Sequence, residues 1–415
     1  MNNFLLSKWK QKRENFTHFD RRVWYLVIIR VINALGFSLI LPFISIYLYS
    51  EKGVPMTIVG SFFLIAALAR AGTQLMGGGF SDKMGRRKVM LFAAMGRTLT
   101  FLFLAAAIYY QLPILVIGIF VILSYGFGAM FMPAADALIS DVVRQKDRVK
   151  AYAYQRMGLN LGWAIGPAIG GYLASASFHL LFLMASLFFL IAVFIVLIFI
   201  KDSDNSAKKS QFSFRSIKVI ARDHSFLAYG ILSFIVFSTL TQTYSTLTVY
   251  SVEVIKITKI QLGYLYSLNG LVIILFQLPG IKLINRMSLT GALALGAMFS
   301  GMSYIIVAIS ENFMMLAMAI IVLTFGEIFF IPAGTTLTSN WAPESKKGTY
   351  LGLYGLFQGM GRSFGPFYGG ILLDHFLHLP YILWGTITTV AFVASFFLIQ
   401  IKILIPAAVN NTQQK

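Results

Sequence analysis

Cysteine is absent from this chain, which excludes disulfides, thiolate metal sites and cysteine nucleophiles together. Charge is scarce: 12% of the 415 residues are charged, where a soluble protein carries about a quarter. Acids are scarcest, 15 Asp and Glu against 34 Lys and Arg. No phosphate-cradling G-x-x-x-x-G-K-[ST] loop occurs, so ATP hydrolysis is not the expected energy source. The five histidines are scattered, and His375 and His378 have only Asp374 beside them, so neither a metal centre nor an enzyme's clustered catalytic groups are expected. What the chain has in abundance is apolar surface. At 58% hydrophobic residues, its expected solvent is lipid.

Apolar segments lie near 23–49, 57–80, 89–110, 112–140, 151–175 and 178–200, and again near 225–250, 260–281, 289–310, 313–336, 349–373 and 379–405. Each has the ~20 residues needed to cross a bilayer core as a helix. Backbone groups in lipid must bond within their own segment, so twelve helices are expected, and the short alternating strands of a membrane barrel are missing. Residues 1–22 are polar and basic, and no cleavable leader is expected there. Connections on one side carry only Lys52, Lys256 and Lys259, whereas the tails and the other loops hold 26 basic residues. The positive-inside rule then places both termini in the cytoplasm of an inner-membrane protein. The net charge of +19 is thereby read as a topology signal, not as a nucleic-acid surface.

The only long polar interruption, 201–223, splits the chain into two sets of six spans, 23–200 and 224–405, flanked by cytoplasmic tails at 1–22 and 406–415. The second part of this linker alternates Phe212, Phe214, Ile217 and Ile220 with Arg215, Lys218 and Arg222, which predicts a short helix on the membrane surface. The halves match in sequence. "FMPAADAL" at 131–138 returns as "FIPAGTTL" at 330–337, and "GPAIGGYL" at 166–173 as "GPFYGGIL" at 365–372, both 199 residues later. Internal duplication is the economical reading. The expected fold is all-α, two pseudo-symmetric six-helix bundles.

The loop "GGGFSDKMGRRKVM" (77–90) lies between spans 2 and 3. Its Gly78, Asp82, Lys83, Gly85, Arg86 and Arg87 fit the signature G-x-x-x-D-[RK]-x-G-R-[RK], and with the duplicated halves the chain resembles the major facilitator superfamily over essentially its whole length. Glycines allow span 2 to approach another helix closely. Asp82 faces the positive end of span 3's dipole, and Arg86 and Arg87 offer forks for a carboxylate, with Asp141 at the end of span 4 the expected partner. The resemblance implies that this cluster latches the two halves in an outward-facing state; the plainer reading is a basic turn that only sets topology. In span 5, Gly158, Gly162, Gly166 and Gly170 form one ridge, followed by Pro167 and Gly171. The ridge resembles a motif of the drug:proton antiporters; read physically, it is a flat face for another helix, and ordinary small-residue packing explains the ridge but not its Gly-Pro ending. One departure stands out: that group usually has an arginine in span 4, and "VILSYGFGAM" (121–130) has none.

Ionisable residues inside spans cost roughly 2.5–3.5 kcal/mol each on insertion scales, which makes each a functional candidate. They are Arg30, Arg70, Arg97, Asp136, Arg156, Glu327 and Arg362. Counting back from the 10–11 turn places Glu327 and Arg362 at similar depth near mid-membrane; the 4–5 turn does the same for Asp136 and Arg156, closer to the cytoplasm. At the 199-residue offset Glu327 replaces Gly128 and Arg362 replaces Trp163, so both charges are additions to the shared scaffold. A desolvated glutamate can take up a proton near neutral pH while arginine stays charged. Glu327 is therefore the expected proton site, with a static ion pair to Arg362 as its bland alternative. Arg30 and Asn33 share one face of span 1, and Arg70 has no obvious local partner.

Taken together, a transporter is expected, one that exports an amphipathic small molecule by alternating access, coupled to protons. Its partners are that substrate, protons and the bilayer; it needs no cofactor beyond the proton gradient, acts as a monomer and binds no nucleic acid. The excess of five arginines over two carboxylates in the spans keeps an organic anion, metabolite or lipid-like substrate as the alternative, and a receptor or lipid-modifying enzyme as a remote one.

Overall fold

The computed structural model describes residues 19–144, 147–202, 223–343 and 346–410. Twelve long helices follow one another: α1 (Arg21–Glu51), α2 (Met56–Met84), α3 (Arg86–Tyr109), α4 (Ile114–Val142), α5 (Arg148–Ala176), α6 (Phe178–Phe199), α7 (His224–Glu253), α8 (Lys259–Ile284), α9 (Leu289–Ala308), α10 (Phe313–Trp341), α11 (Lys347–Phe376) and α12 (Pro380–Gln400). Ten of them are long and apolar enough to cross a membrane by length and composition; α5 and α11 match the others in length but are more polar. No strand occurs among the described residues. The expected surface helix of the linker falls on residues outside them.

Local chemistry sets the helix ends. Pro55 and Pro113 precede the first turns of α2 and α4, and Pro380 opens α12, positions where the missing N–H leaves no ladder bond unmade. Thr258 and Gln261 form a reciprocal capping box at the start of α8, and the side chains of Ser288 and Asn312 accept from the first-turn amides of α9 and α10. Two helices are broken. In α1 the α-helix stops at Ser38, restarts at Leu41 with Pro42 in its first turn, and ends in a π turn, Tyr47–Glu51. In α7 a 3₁₀ turn, Thr241–Tyr244, separates His224–Leu240 from Thr246–Glu253. The sequence allows α1 to bend at Gly36 and Pro42, which flank its break, and reads α7 as continuous.

Packing repeats from one half to the other. In the first, α1 lies against α5 and α6, α2 against α4, and α3 against α4 and α6; in the second, α7 lies against α11 and α12, α8 against α10, and α9 against α10 and α12. The glycine ridge of α5 faces α1. A side chain at Gly162 would enter the backbone of Val31 and Leu35, one at Gly166 would meet Leu35 and Ser38, and one at Gly170 would meet Leu39. Gly158 closes the row on Val27 and Val31. Ser38 Oγ donates to the Gly162 carbonyl at 3.0 Å, the kind of interhelical bond that small residues permit. In the second half Gly361, Gly365 and Gly369 meet α7 in the same way, and Gln242 Nε2 donates to the Gly365 carbonyl at 2.9 Å. The ridge is thus a fixed packing face within each half.

Gly166→Leu drives a branched side chain into α1 and lowers stability by about 1–3 kcal/mol or more. Gly359→Leu, on α11 but off the ridge and with open space before it, leaves stability within about 0.5 kcal/mol. Thermal unfolding of the detergent-purified chain compares the two.

Candidate functional site

Since each half has an even number of helices, Arg21 and Gln400 lie on one side, here the terminal face; the opposite side is the far face. The two halves touch chiefly along two seams, α5 with α8 and α2 with α11, and also where the second parts of α1 and α7 meet. Both seams sit towards the far face. A side chain at Gly60 would strike the backbone of Pro366 and Phe367, and one at Gly370 the backbone of Met56 and Thr57. Gly171 abuts Lys259 and Gly263, Gly263 abuts Pro167, and Gly270 abuts Ala164. Pro167 and Gly171 therefore face the other half while the glycine ridge of the same helix faces its own.

Polar contacts clasp this end. The Asp374 carboxylate accepts from the backbone amides of Met56 and Thr57, both at 2.8 Å, and from Thr57 Oγ1 at 2.7 Å, capping α2 from across the seam. It is committed to that cap, not to a metal pair with His375 and His378. Lys259 pairs with Glu51 at 3.0 Å, Ser50 donates to Glu253, and the hydroxyls of Tyr172 and Tyr264 share a hydrogen bond. Towards the terminal face the helices part. Added side chains at Gly72, Gly78, Gly79, Gly352, Gly355 and Gly359 would meet nothing within 4 Å. These open positions on α2 and α11 point to a cavity between the halves on that face.

The charged residues of the spans do not form the expected pairs. Glu327 and Arg362 form no ion pair. Asn269 Nδ2, from α8, donates to Glu327 Oε2 at 3.0 Å and to Thr324 Oγ1 at 2.8 Å. Arg362 stacks over the Phe237 ring, 5.0 Å from its centroid, and lies within electrostatic reach of Glu327. Asp136 and Arg156 form no ion pair either: Asp136 lies within reach of Arg30, and Arg156 is exposed on α5. Depth was legible, azimuth was not. Sequential hairpin partners α4–α5 and α10–α11 touch little, because α4 and α10 pack chiefly on other helices. Arg30 donates to the Met132 sulfur, and Asn33 is half-buried on the same helix. Arg70 is exposed on α2 and lies within electrostatic reach of Arg30, Arg97 and, across the cavity, Arg362.

Arg97 matters more than its sequence context suggests. Its guanidinium lies 4.3 Å from the Phe189 centroid and 5.3 Å from that of Phe37, a cation–π site inside the first bundle. It fills the space in front of Gly128. Gly128 is the counterpart of Glu327 at the 199-residue offset, so one bundle has a cation where the other has a carboxylate. Gly128, in the stretch of span 4 that has no arginine, thus faces one from α3. The signal available in sequence was the bare glycine at 128 opposite a phenylalanine-rich stretch.

The 77–90 loop is tied within the first half. Arg86 bonds Asp82 and Ser81 and reaches Asp141 at 3.3 Å, joining α2, α3 and α4. Arg87 does not grip Asp141: its guanidinium donates to the Leu197 carbonyl at 2.7 Å and its amide to Asp202 at 2.7 Å, at the end of α6. Gly85 turns between helices at φ +95°, a conformation L side chains rarely adopt. No contact from these arginines to the second half appears among the described residues, so the expected latch between halves is not made in this arrangement.

Two duplicated six-helix bundles, joined towards one face, are the architecture of a membrane transporter. The family comparison agrees: the Major Facilitator Superfamily matches residues 26–329 and 255–413. This chain belongs to that superfamily. It is 28% identical to the uncharacterized MFS-type transporter YttB of Bacillus subtilis (strain 168), over 86% of this chain and 89% of that one. It is 25% identical to a Na(+), Li(+), K(+)/H(+) antiporter of Planococcus maritimus, over 80% and 84%. It is 24% identical to Multidrug resistance protein 2 of B. subtilis (strain 168), over 86% and 90%. A crystal structure of the peptide transporter POT in complex with sulfate shares the fold, with a TM-score of 0.78 at 15% identity over 94% of this chain and 96% of that one.

The clasp is testable because the chain has no native cysteine. Asp374→Ala removes three charge-assisted bonds and shifts the far face towards opening by about tenfold or more. A single cysteine at Ala168, in the α5–α8 seam, reports this as faster labelling by a membrane-impermeant maleimide from the far side.

Proposed function

We propose that this chain exports an amphipathic small molecule from the cytoplasm in exchange for protons, with the terminal face cytoplasmic and the membrane the bacterial inner membrane. The observation that carries the proton coupling is Glu327: a carboxylate beside the cavity, held by one neutral donor, Asn269, and by no ion pair. A carboxylate locked to arginine resists protonation; one held only by an amide can gain and lose a proton with modest rearrangement. Ionised, Glu327 offsets the nearby Arg362. Protonated, it leaves that charge uncompensated, and the cavity's balance changes with the state of one group. Such a change shifts the equilibrium between inward- and outward-open forms only as far as the two forms hold the carboxylate differently. The basic residues at the terminal face support the orientation, and a multidrug resistance protein and a cation/proton antiporter among the relatives support exchange. A single chain provides both halves of the cavity.

In proteoliposomes under an imposed pH gradient, Glu327→Gln reduces driven transport to the level of protein-free vesicles, while gradient-free substrate counterflow persists. Full gradient-driven transport by this variant overturns the assignment.

A further inference from the structure

Four arginines from four helices and both halves come together around Arg70. Arg30, Arg97 and Arg362 each lie within electrostatic reach of Arg70. Among the described residues Arg70, Arg97 and Arg362 form no side-chain hydrogen bond and no ion pair, and the Nε atoms of Arg30 and Arg97 are shielded from solvent without an acceptor. The two carboxylates near this cluster offset it only in part, two charges against four: Asp136 sits by Arg30 and Glu327 within reach of Arg362. Like charges gathered in a low-dielectric span repel, and each is costly there. An anion between them relieves both penalties.

Aromatic rings adjoin the same arginines. Phe37, on which Arg97 stacks, lies 6.2 Å from Trp163, and Trp163 lies 5.5 Å from Tyr244 of the second half. The row crosses from α1 through α5 to α7. Phe37 and Trp163 are half-buried, so their rings are not wholly enclosed. Trp163 is also the counterpart of Arg362 at the 199-residue offset, so a flat apolar group and a cation occupy equivalent places on facing bundles.

We propose that the transported species is an aromatic organic anion, its charge between Arg70 and Arg362 and its ring system against Phe37 and Trp163. The planar guanidinium forks suit a carboxylate, and the exposed rings suit a flat apolar body, which favours a free aromatic anion over a lipid headgroup carrying the same charge. This rests on the transporter reading above and narrows its substrate class. Because both bundles contribute a cation, the anion lessens repulsion across the cavity and draws the terminal ends of α2 and α11 together.

The test is equilibrium binding to the detergent-purified full chain, with fluorescein as the anionic probe and ethidium as the cationic one. No gradient is present, so a failure of proton coupling at Glu327 leaves the result untouched. Fluorescein is expected to bind in preference to ethidium. Arg70→Gln and Arg362→Gln each weaken it about tenfold or more, Arg70→Lys restores part of the loss, and Lys256→Gln at the far face changes nothing. Stronger binding of ethidium, fluorescein binding indifferent to both Gln variants, or displacement of fluorescein by short-chain phosphatidylglycerol at lower concentration than by unlabelled fluorescein overturns the proposal.

Discussion

Everything in this molecule depends on how closely helix backbones approach one another. In lipid no hydrophobic force drives apolar helices together, so association rests on van der Waals contact and interhelical bonds. Glycine permits both. Helix α5 shows the constraint most fully, because it has two glycine faces. The ridge from Gly158 to Gly170 meets α1, while Pro167 and Gly171 meet α8 of the other half. Helix α11 repeats the plan against α7 and α2. The same two helices are the ones too polar to qualify as spans by composition. The reason is their position: with one face sealed on their own bundle and another on the seam or the cavity, little of either helix has to be apolar.

Onto this near-symmetric scaffold the charges are laid asymmetrically. The repeat preserves the prolines and glycines that shape the helices, yet exchanges Gly128 for Glu327 and Trp163 for Arg362. Arg97 then fills the space Gly128 leaves. Symmetry therefore describes how the halves pack, and its breaking describes where they differ chemically. A cavity with equivalent walls would have no reason to place its one amide-bound carboxylate on a single side.

Much of the fold was legible because lipid narrows the choices. Every expected span became a helix with its ends within a few residues, since backbone groups in hydrocarbon have no other partner. The duplication was legible through Pro133 and Pro332, Pro167 and Pro366. The partners of the buried charges were not. Counting from a turn gives depth along a helix but not which side the residue faces, and it assumes that consecutive helices are neighbours. Glu327 turned to Asn269 of α8 and Asp136 towards Arg30 of α1, both from helices distant in sequence. The break in α7 also escaped, having no local sign, whereas Gly36 and Pro42 marked where α1 can bend. Arg87, expected to join Asp141, instead closed the end of α6 through Leu197 and Asp202.

The place of the clasp has a mechanical consequence. Helix α2 is fastened to the opposite half between Met56 and Gly60, at one extremity, and runs on to Met84. The remaining length is about 36 Å at 1.5 Å per residue, so tilting the helix by roughly 10° about its fastened end swings the other by about 6 Å. Leverage of this kind lets three short bonds around one aspartate bear on the position of the helix's far end.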